Sequence, residues 1–178
     1  YRLWVVNDGP SENSAFHIVG TIFDTVFKEG AYTLQPDDTH GGSQVLDLCA
    51  GGGGKTLALA AAMANKGQIY AYDSEARRLA DTVRRSERAG VRNLQVRSPI
   101  YPNALKDLED KIDVVFIDAP CSGTGAWRRH PDTKWRLKPA LLAQRTADQD
   151  AVLDLGTQFV KPGGRIVYVT CSVLPEED

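Results

Sequence analysis

Two short stretches of this chain put a cysteine just past the end of an apolar run: DAPCSGTG (118–125) and VTCS (169–172). A free cysteine is commonly a small buried hydrophobe. Cys121 and Cys171, however, both stand where a strand gives way to a loop, and Asp118 precedes the first of them. If the two strands are neighbours, about 4.8 Å apart, both sulfurs face one cleft beside a carboxyl group. Only a thiolate attacks an electrophile, so such a cleft must lower the pKa of one sulfur.

CAGGGGKT (49–56) is the second chemical feature. It looks like a phosphate-cradling G-x-x-x-x-G-K-[ST] loop, but the first glycine of that pattern falls on Cys49. The dinucleotide pattern G-x-G-x-x-G also fails, because no glycine stands at position 56. What remains is a strand (VLDLCA), a glycine turn and an alanine-rich helix, a unit that brings backbone close to a ligand at a helix N-terminus. Asp73 follows the turn by about 20 residues at the end of the next strand, where an acid can accept hydrogen bonds from both hydroxyls of a ribose. Lys55 is placed to hold a carboxylate or phosphate, or to cap the turn. Two thiols, a carboxyl group and a ribose-bearing cofactor suit covalent activation of a pyrimidine. A thiolate adds to carbon-6 and makes carbon-5 nucleophilic towards an electrophilic methyl group. An acid hydrogen-bonds or protonates the ring at nitrogen-3, and a base then removes the carbon-5 proton.

The elements that must position these groups alternate from residue 45 onward. QVLDLCA, QIYAYD, NLQVRS, DVVFIDAP and RIVYVTCS read as five strands, apolar on both faces. Thr56–Asn65, the segment SEARRLADTVRRSERAG and Lys138–Val160 read as helices, the second with Ser74 as N-cap and Gly90 as its stop. KPGG is expected to turn the chain into the fifth strand. This is the pattern of an α/β fold: an open, mostly parallel sheet with helices on both faces. Ligands then bind at the carboxyl ends of the strands, where Asp47–Gly54, Asp73, Ser98, Asp118–Cys121 and Thr170–Ser172 gather. Residues 1–44 read as a lead-in of uncertain structure, in which SAFHIVGTIFDTVFKEG is compatible with a short amphipathic helix and AYTLQP with a strand. Residues 45–178 read as one catalytic domain, and the chain is expected to be a piece of a longer protein, cut after the fifth strand.

Bulk properties agree with one such domain. The 178 residues are 42% hydrophobic and 25% charged, with a net charge of −2. No apolar run reaches the roughly 18–20 residues of a membrane span, and no signal peptide is visible. Three cysteines without a C-x-x-C pair argue against a disulfide framework or a zinc site. A cytoplasmic, monomeric protein without a metal is expected. Between Trp127 and Lys138 lie Arg128, Arg129, Lys134 and Arg136 against one acid, Asp132. A basic, tryptophan-bearing stretch on a mildly acidic domain suits local contact with a polyanion, or is a solvated loop.

These motifs resemble those of the Sun/RsmB-type RNA cytosine-5 methyltransferases, from about Phe27 to Asp178. VLDLCAGGGGKT is similar to their first motif, which usually has Ala-Pro where this chain has Gly51-Gly52. YAYDSEARRL resembles their second, with Asp73 and Arg78 at the matching positions. DAPCSGTG and VTCS match their paired cysteine motifs, and WRRHPDTKWR is similar to their RRxPD-x-KW stretch. The resemblance implies a Rossmann-like class I methyltransferase fold and S-adenosylmethionine as cofactor. It implies Cys171 as the nucleophile, Cys121 as the residue that assists product release, and Asp118 as the contact to the cytosine ring, with Lys55 beside them. The cofactor would be held by Cys49, Ala50, Gly51, Gly52, Gly53, Lys55, Asp73, Arg78 and Asp118, with Ser98 where the family usually has an acid. Arg128, Arg129, Lys134 and Arg136 would contact RNA, expected to be ribosomal. DNA enzymes attack from a Pro-Cys motif instead, so the Thr170-Cys171 pair favours RNA. The rival readings are a nucleotide-binding module without transfer chemistry and an RNA-binding pseudoenzyme.

Overall fold

The structure, a computed structural model, describes residues 2–7, 42–128 and 130–177. Six strands form one sheet: β1 (Arg2–Asn7), β2 (Gln44–Asp47), β3 (Gln68–Tyr72), β4 (Leu94–Arg97), β5 (Ile112–Asp118) and β6 (Val160–Thr170). Their order is β1-β6-β5-β2-β3-β4, with every pair parallel except β1–β6. The five strands expected from the sequence are all present. The added member is β1, which pairs antiparallel along β6 from Arg2↔Thr170 to Asn7↔Arg165. The helix and strand readings at 15–31 and 31–36 lie outside the described residues.

Side-chain alternation divides the core in two. Val45, Ile69, Phe116, Val167 and Val169 point to one face and pack with Leu59, Ala60 and Met63 of α1 (Gly54–Ala62) and its end. α2 (Ala76–Arg88) adds Leu79 against Ala71 on that same face, since Ala71 is two residues on from Ile69. Leu46, Val115, Ile117, Ile166 and Tyr168 point the other way, towards Val152, Leu153 and Leu155 of the long helix over Pro139–Thr157. A short helix, α3 (Thr133–Arg136), precedes that long one, which is therefore α4. Each fully buried Leu, Ile or Val contributes about 1.5–3 kcal/mol, so a strand with apolar residues on both faces is stable only between two helical layers. α4 approaches closely at Gly156, where an added Cβ would lie 2.8 Å from Ile117 Cδ1.

Three local readings need correction. Ser74 is not the N-cap of α2: Glu75 holds that position, and the Asp73 carboxylate accepts the Glu75 N–H at 2.8 Å instead. KPGG does not precede the last strand but bulges from it, as pairing jumps from Ile112↔Val160 to Val114↔Arg165. Residues 133–136 are helical rather than loop. Among the described residues no helix is long and apolar enough to cross a membrane.

The sheet places its switch point where β2 and β5 lie side by side while their chains leave in opposite directions. Crevices form there at the carboxyl ends of the strands.

Candidate active site

The turn after β2 is held from outside. Gly51 N–H donates to Asp73 Oδ2 at 2.9 Å, and Ala50 N–H to the Tyr72 carbonyl at 2.9 Å. Thr82 Oγ1 and Arg85 Nη1 of α2 donate to the Gly51 and Gly52 carbonyls at 2.8 and 2.6 Å. Gly53 has φ +79°, and an added Cβ would meet Thr82 at 2.9 Å. Asp73 is 4% exposed, and each of its oxygens accepts one backbone N–H. Each keeps a lone pair for a further donor.

Below the turn, Asp47 is fully buried. Its Oδ2 accepts from Thr56 Oγ1 at 2.6 Å, while Oδ1 has no hydrogen-bond partner. Burial pushes its carboxyl up to about 7, against the opposing bond from Thr56. Thr56, the hydroxyl that a phosphate loop would turn to its metal, is therefore occupied. Lys55 leans across the switch point and pairs with Asp118 Oδ2 at the end of β5. The two residues proposed from separate motifs form one ion pair.

The β5 and β6 ends bring the cysteines together, Cys121 Sγ lying 3.3 Å from Cys171 Sγ. Both are half-buried. The hydrogen bond from Cys121 lowers the Cys171 thiol to about 7, outweighing the opposing effects of burial and of Asp118, with Lys55 helping. The same bond, with burial, raises Cys121. Cys49 is a different thiol: burial first, then Asp47, Asp73 and Asp118, pushes it up to about 12. Of the three thiols, Cys171 alone is lowered towards neutral pH.

The 50–52 turn, Asp73, the Lys55–Asp118 pair and the three thiols border a single cleft of about 800 Å³, within the size range of small-molecule sites. Cys49, Ala50, Gly51, Gly52, Lys55, Asp73, Arg78, Asp118, Cys121 and Cys171 line it as expected. Arg78 is held there by Glu75 at 2.7 Å. Two expected cofactor residues do not line it. Gly53 faces Thr82, where its role is close packing. Ser98 turns the chain beyond β4, its carbonyl accepting the Tyr101 N–H at 3.2 Å. Sequence reasoning missed the wall that α4 supplies: Arg145 and Asp148, ion-paired at 3.0 Å, then Val152 and Leu155. Their spacing of three to four residues was the available signal.

The basic stretch lies at the surface. Arg128, Lys134 and Arg136 are exposed, with Arg136 paired to Asp132 at 2.7 Å. Trp135 is 78% exposed, with Lys134 Nζ 4.6 Å from its ring centre. Trp127 is half-buried, and Arg129 lies outside the described residues. Among the described residues no group of three or more His, Cys, Asp or Glu gathers to hold a metal ion.

Comparison with known proteins places this geometry. Residues 31–178 match the family described as 16S rRNA methyltransferase RsmB/F. The ribosomal RNA small subunit methyltransferase B of Citrobacter koseri is 38% identical over 162 residues, covering 85% of this chain and 37% of that protein. The chain thus spans little more than a third of the length of such curated relatives. A methyltransferase homolog protein from Pyrococcus horikoshii is 34% identical with a TM-score of 0.63, over 77% of this chain and 42% of that one. NSun6 from Pyrococcus horikoshii, solved with SFG, is 29% identical with a TM-score of 0.66, over 76% of this chain and 34% of that one.

Proposed function

Since the chain belongs to the RsmB/F family of 16S rRNA methyltransferases, we propose that it methylates carbon-5 of a cytosine in ribosomal RNA through a covalent cysteine–pyrimidine intermediate. The observation that carries this reading is the pair of thiols 3.3 Å apart at the ends of β5 and β6, with Cys171 lowered towards neutrality. A nucleotide-binding module has no use for that pair.

The methyl donor of this family is S-adenosylmethionine, and the residues present fit it. Asp73 is a buried carboxylate at the cleft wall with lone pairs left for two ribose hydroxyls. Beside it, the 50–52 turn offers backbone without side chains larger than a methyl group. When bound, the cofactor supplies an electrophilic methyl group.

The chain's own residues supply the rest. Cys171 adds as a thiolate to carbon-6 of the cytosine, which breaks the 5,6 double bond and leaves carbon-5 nucleophilic. As carbon-6 is attacked, the Lys55–Asp118 pair passes a proton through the Asp118 carboxyl to nitrogen-3, which offsets the negative charge on the ring, and takes it back when the ring is restored. Cys121 serves the second half: water takes the carbon-5 proton, the carbon-6–sulfur bond breaks with its electrons going to sulfur, and the Cys121 thiol, hydrogen-bonded to that sulfur, stabilises the departing Cys171 thiolate. The exposed Arg128, Lys134 and Arg136 supply phosphate contacts.

Single-residue variants separate the two roles. Cys171→Ala should abolish transfer of labelled methyl to RNA and all covalent enzyme–RNA species. Cys121→Ala should still attack, and it should accumulate an RNA-shifted band that survives denaturation. An adduct in Cys171→Ala with none in Cys121→Ala would exchange the roles and favour the DNA-type assignment. No adduct in any variant, with RNA still bound, would leave an RNA-binding pseudoenzyme.

A further inference from the structure

Next to the cysteines lies a polar cluster that the proposed chemistry does not use. Glu177, in the turn Pro175–Glu177, is a carboxylate only 2% exposed. Its Oε1 accepts the Ser122 N–H at 2.7 Å and Gln149 Nε2 at 3.1 Å, and its Oε2 accepts the Ser122 hydroxyl. The Ser122 and Ser172 hydroxyls are 3.3 Å apart, and Ser172 Oγ lies 3.1 Å from Thr124 Oγ1. Gln149 also donates to the Pro120 carbonyl at 2.9 Å. The residues on both sides of Cys121 are therefore held by one carboxylate and one amide. On the other loop the Cys171 carbonyl accepts the Gly125 N–H at 2.9 Å, and Val173 N–H donates to Thr124 Oγ1 at 2.9 Å.

A buried carboxylate is costly unless its lone pairs are filled. Burial raises Glu177, but the bonds from Ser122, Ser172 and Gln149 outweigh it and hold the carboxyl below its usual range. The charge is thus used to organise donors from two loops and from α4. A thiol–thiol hydrogen bond weakens steeply with distance and angle. The 3.3 Å separation of Cys121 and Cys171 therefore depends on the relative setting of those loops.

We propose that Glu177 is a positioning residue for the two thiols: it locks the Cys121 and Cys171 loops together and thereby keeps Cys121 donating to Cys171. Glu177 touches neither sulfur. The proposal rests on the reading of Cys171 as the attacking thiol.

The test needs no RNA for its first readout. Iodoacetamide alkylation of Cys171 in the full chain is followed against pH by mass spectrometry, with Cys49 as internal reference. Asp118, Lys55 and Cys121 face Cys171, and Arg145 and Asp148 share its cleft; all remain in place in the variants. In Glu177→Gln a negative charge is lost, so an effect of field alone would move the Cys171 midpoint down. Loss of positioning moves it up, and a rise of one unit from about 7 cuts alkylation at pH 7 by about fivefold. Ser122→Ala keeps the charge and removes one tether, so it should shift the midpoint the same way by less. It decides the question if Glu177→Gln does not fold. With RNA, kcat for methyl transfer should fall about tenfold in Glu177→Gln with KM unchanged, the pattern of a weakened transition-state interaction. An unchanged or lowered midpoint in folded variants overturns the proposal. A raised midpoint without methyl transfer by the unsubstituted chain upholds the positioning role and sinks only the assigned reaction.

Discussion

Where β2 and β3 end, the cleft wall is main chain: the 50–52 backbone, tied by its own N–H and carbonyl groups to Asp73, Tyr72, Thr82 and Arg85. Where β5 and β6 end, the wall is side chain: two thiols and an ammonium–carboxylate pair, backed from behind by hydroxyls gathered on Glu177. The difference follows from what each side must do. A backbone wall gives a large ligand a close fit and is sensitive mainly to the conformation of its glycines. A side-chain wall tunes the protonation of one sulfur, so it depends on single polar atoms held by distant segments.

The largest expected effect tests the backbone side. Gly53→Ala places a Cβ against Thr82 at a φ of +79°, and left-handed strain with overpacking should cost about 2–4 kcal/mol. Nothing lies within 4 Å of a Cβ added at Gly54, so Gly54→Ala should be neutral or stabilise by up to about 1 kcal/mol. Urea denaturation of the pair measures both, and equal losses would break the contrast. Asp73→Ala is next. It should weaken S-adenosylmethionine binding by about 1–3 kcal/mol, because charge-assisted bonds to the ribose disappear; calorimetry reads the change. Unchanged affinity would remove Asp73 from the site.

Asp47 lies under both walls and gives the comparison a pH axis. Its carboxyl is raised from 3.8 to about 7 on folding, so between those values the folded state binds more protons than the unfolded one. Its contribution therefore favours folding at low pH and is lost as pH rises from about 4 to about 7. Asp47→Asn should remove that slope from stability measured against pH, and an unaltered slope would assign it elsewhere. The smallest effect concerns the exposed stretch beyond the second wall. Removing one phosphate-binding side chain should make log K for RNA less steep against log salt by about 0.7–0.9. Arg128→Ala and Lys134→Ala should each do this, whereas wild-type slopes would return the stretch to a solvated surface.

The order of elements was legible because it rests on local signals. Runs such as VVFID and IVYV are apolar at consecutive positions, glycines and prolines interrupt them, and Gly90 stops α2 with φ +67°. The cysteines could be placed on one rim because strand ends in a parallel sheet share a side. Strand β1 was not legible, since a short apolar segment does not announce which edge it will join. Arg145 and Asp148 were hidden within a helix whose cleft-facing side is polar at one end.

The sequence by itself determined the α/β alternation, the strand ends that carry Asp73, Asp118, Cys121 and Cys171, and the membership these motifs imply. Only the tertiary structure decided that Lys55 pairs with Asp118, that Glu177 gathers Ser122 and Gln149, and that Ser98 and Gly53 lie off the cleft wall. The partners in the first case are 63 residues apart, and Ser122 and Glu177 are 55 apart. Such pairs are set by which strands are neighbours and in what register, here Asp118 beside Val169. Register is the outcome of burying both faces of the whole sheet at once, so no local stretch of residues encodes it.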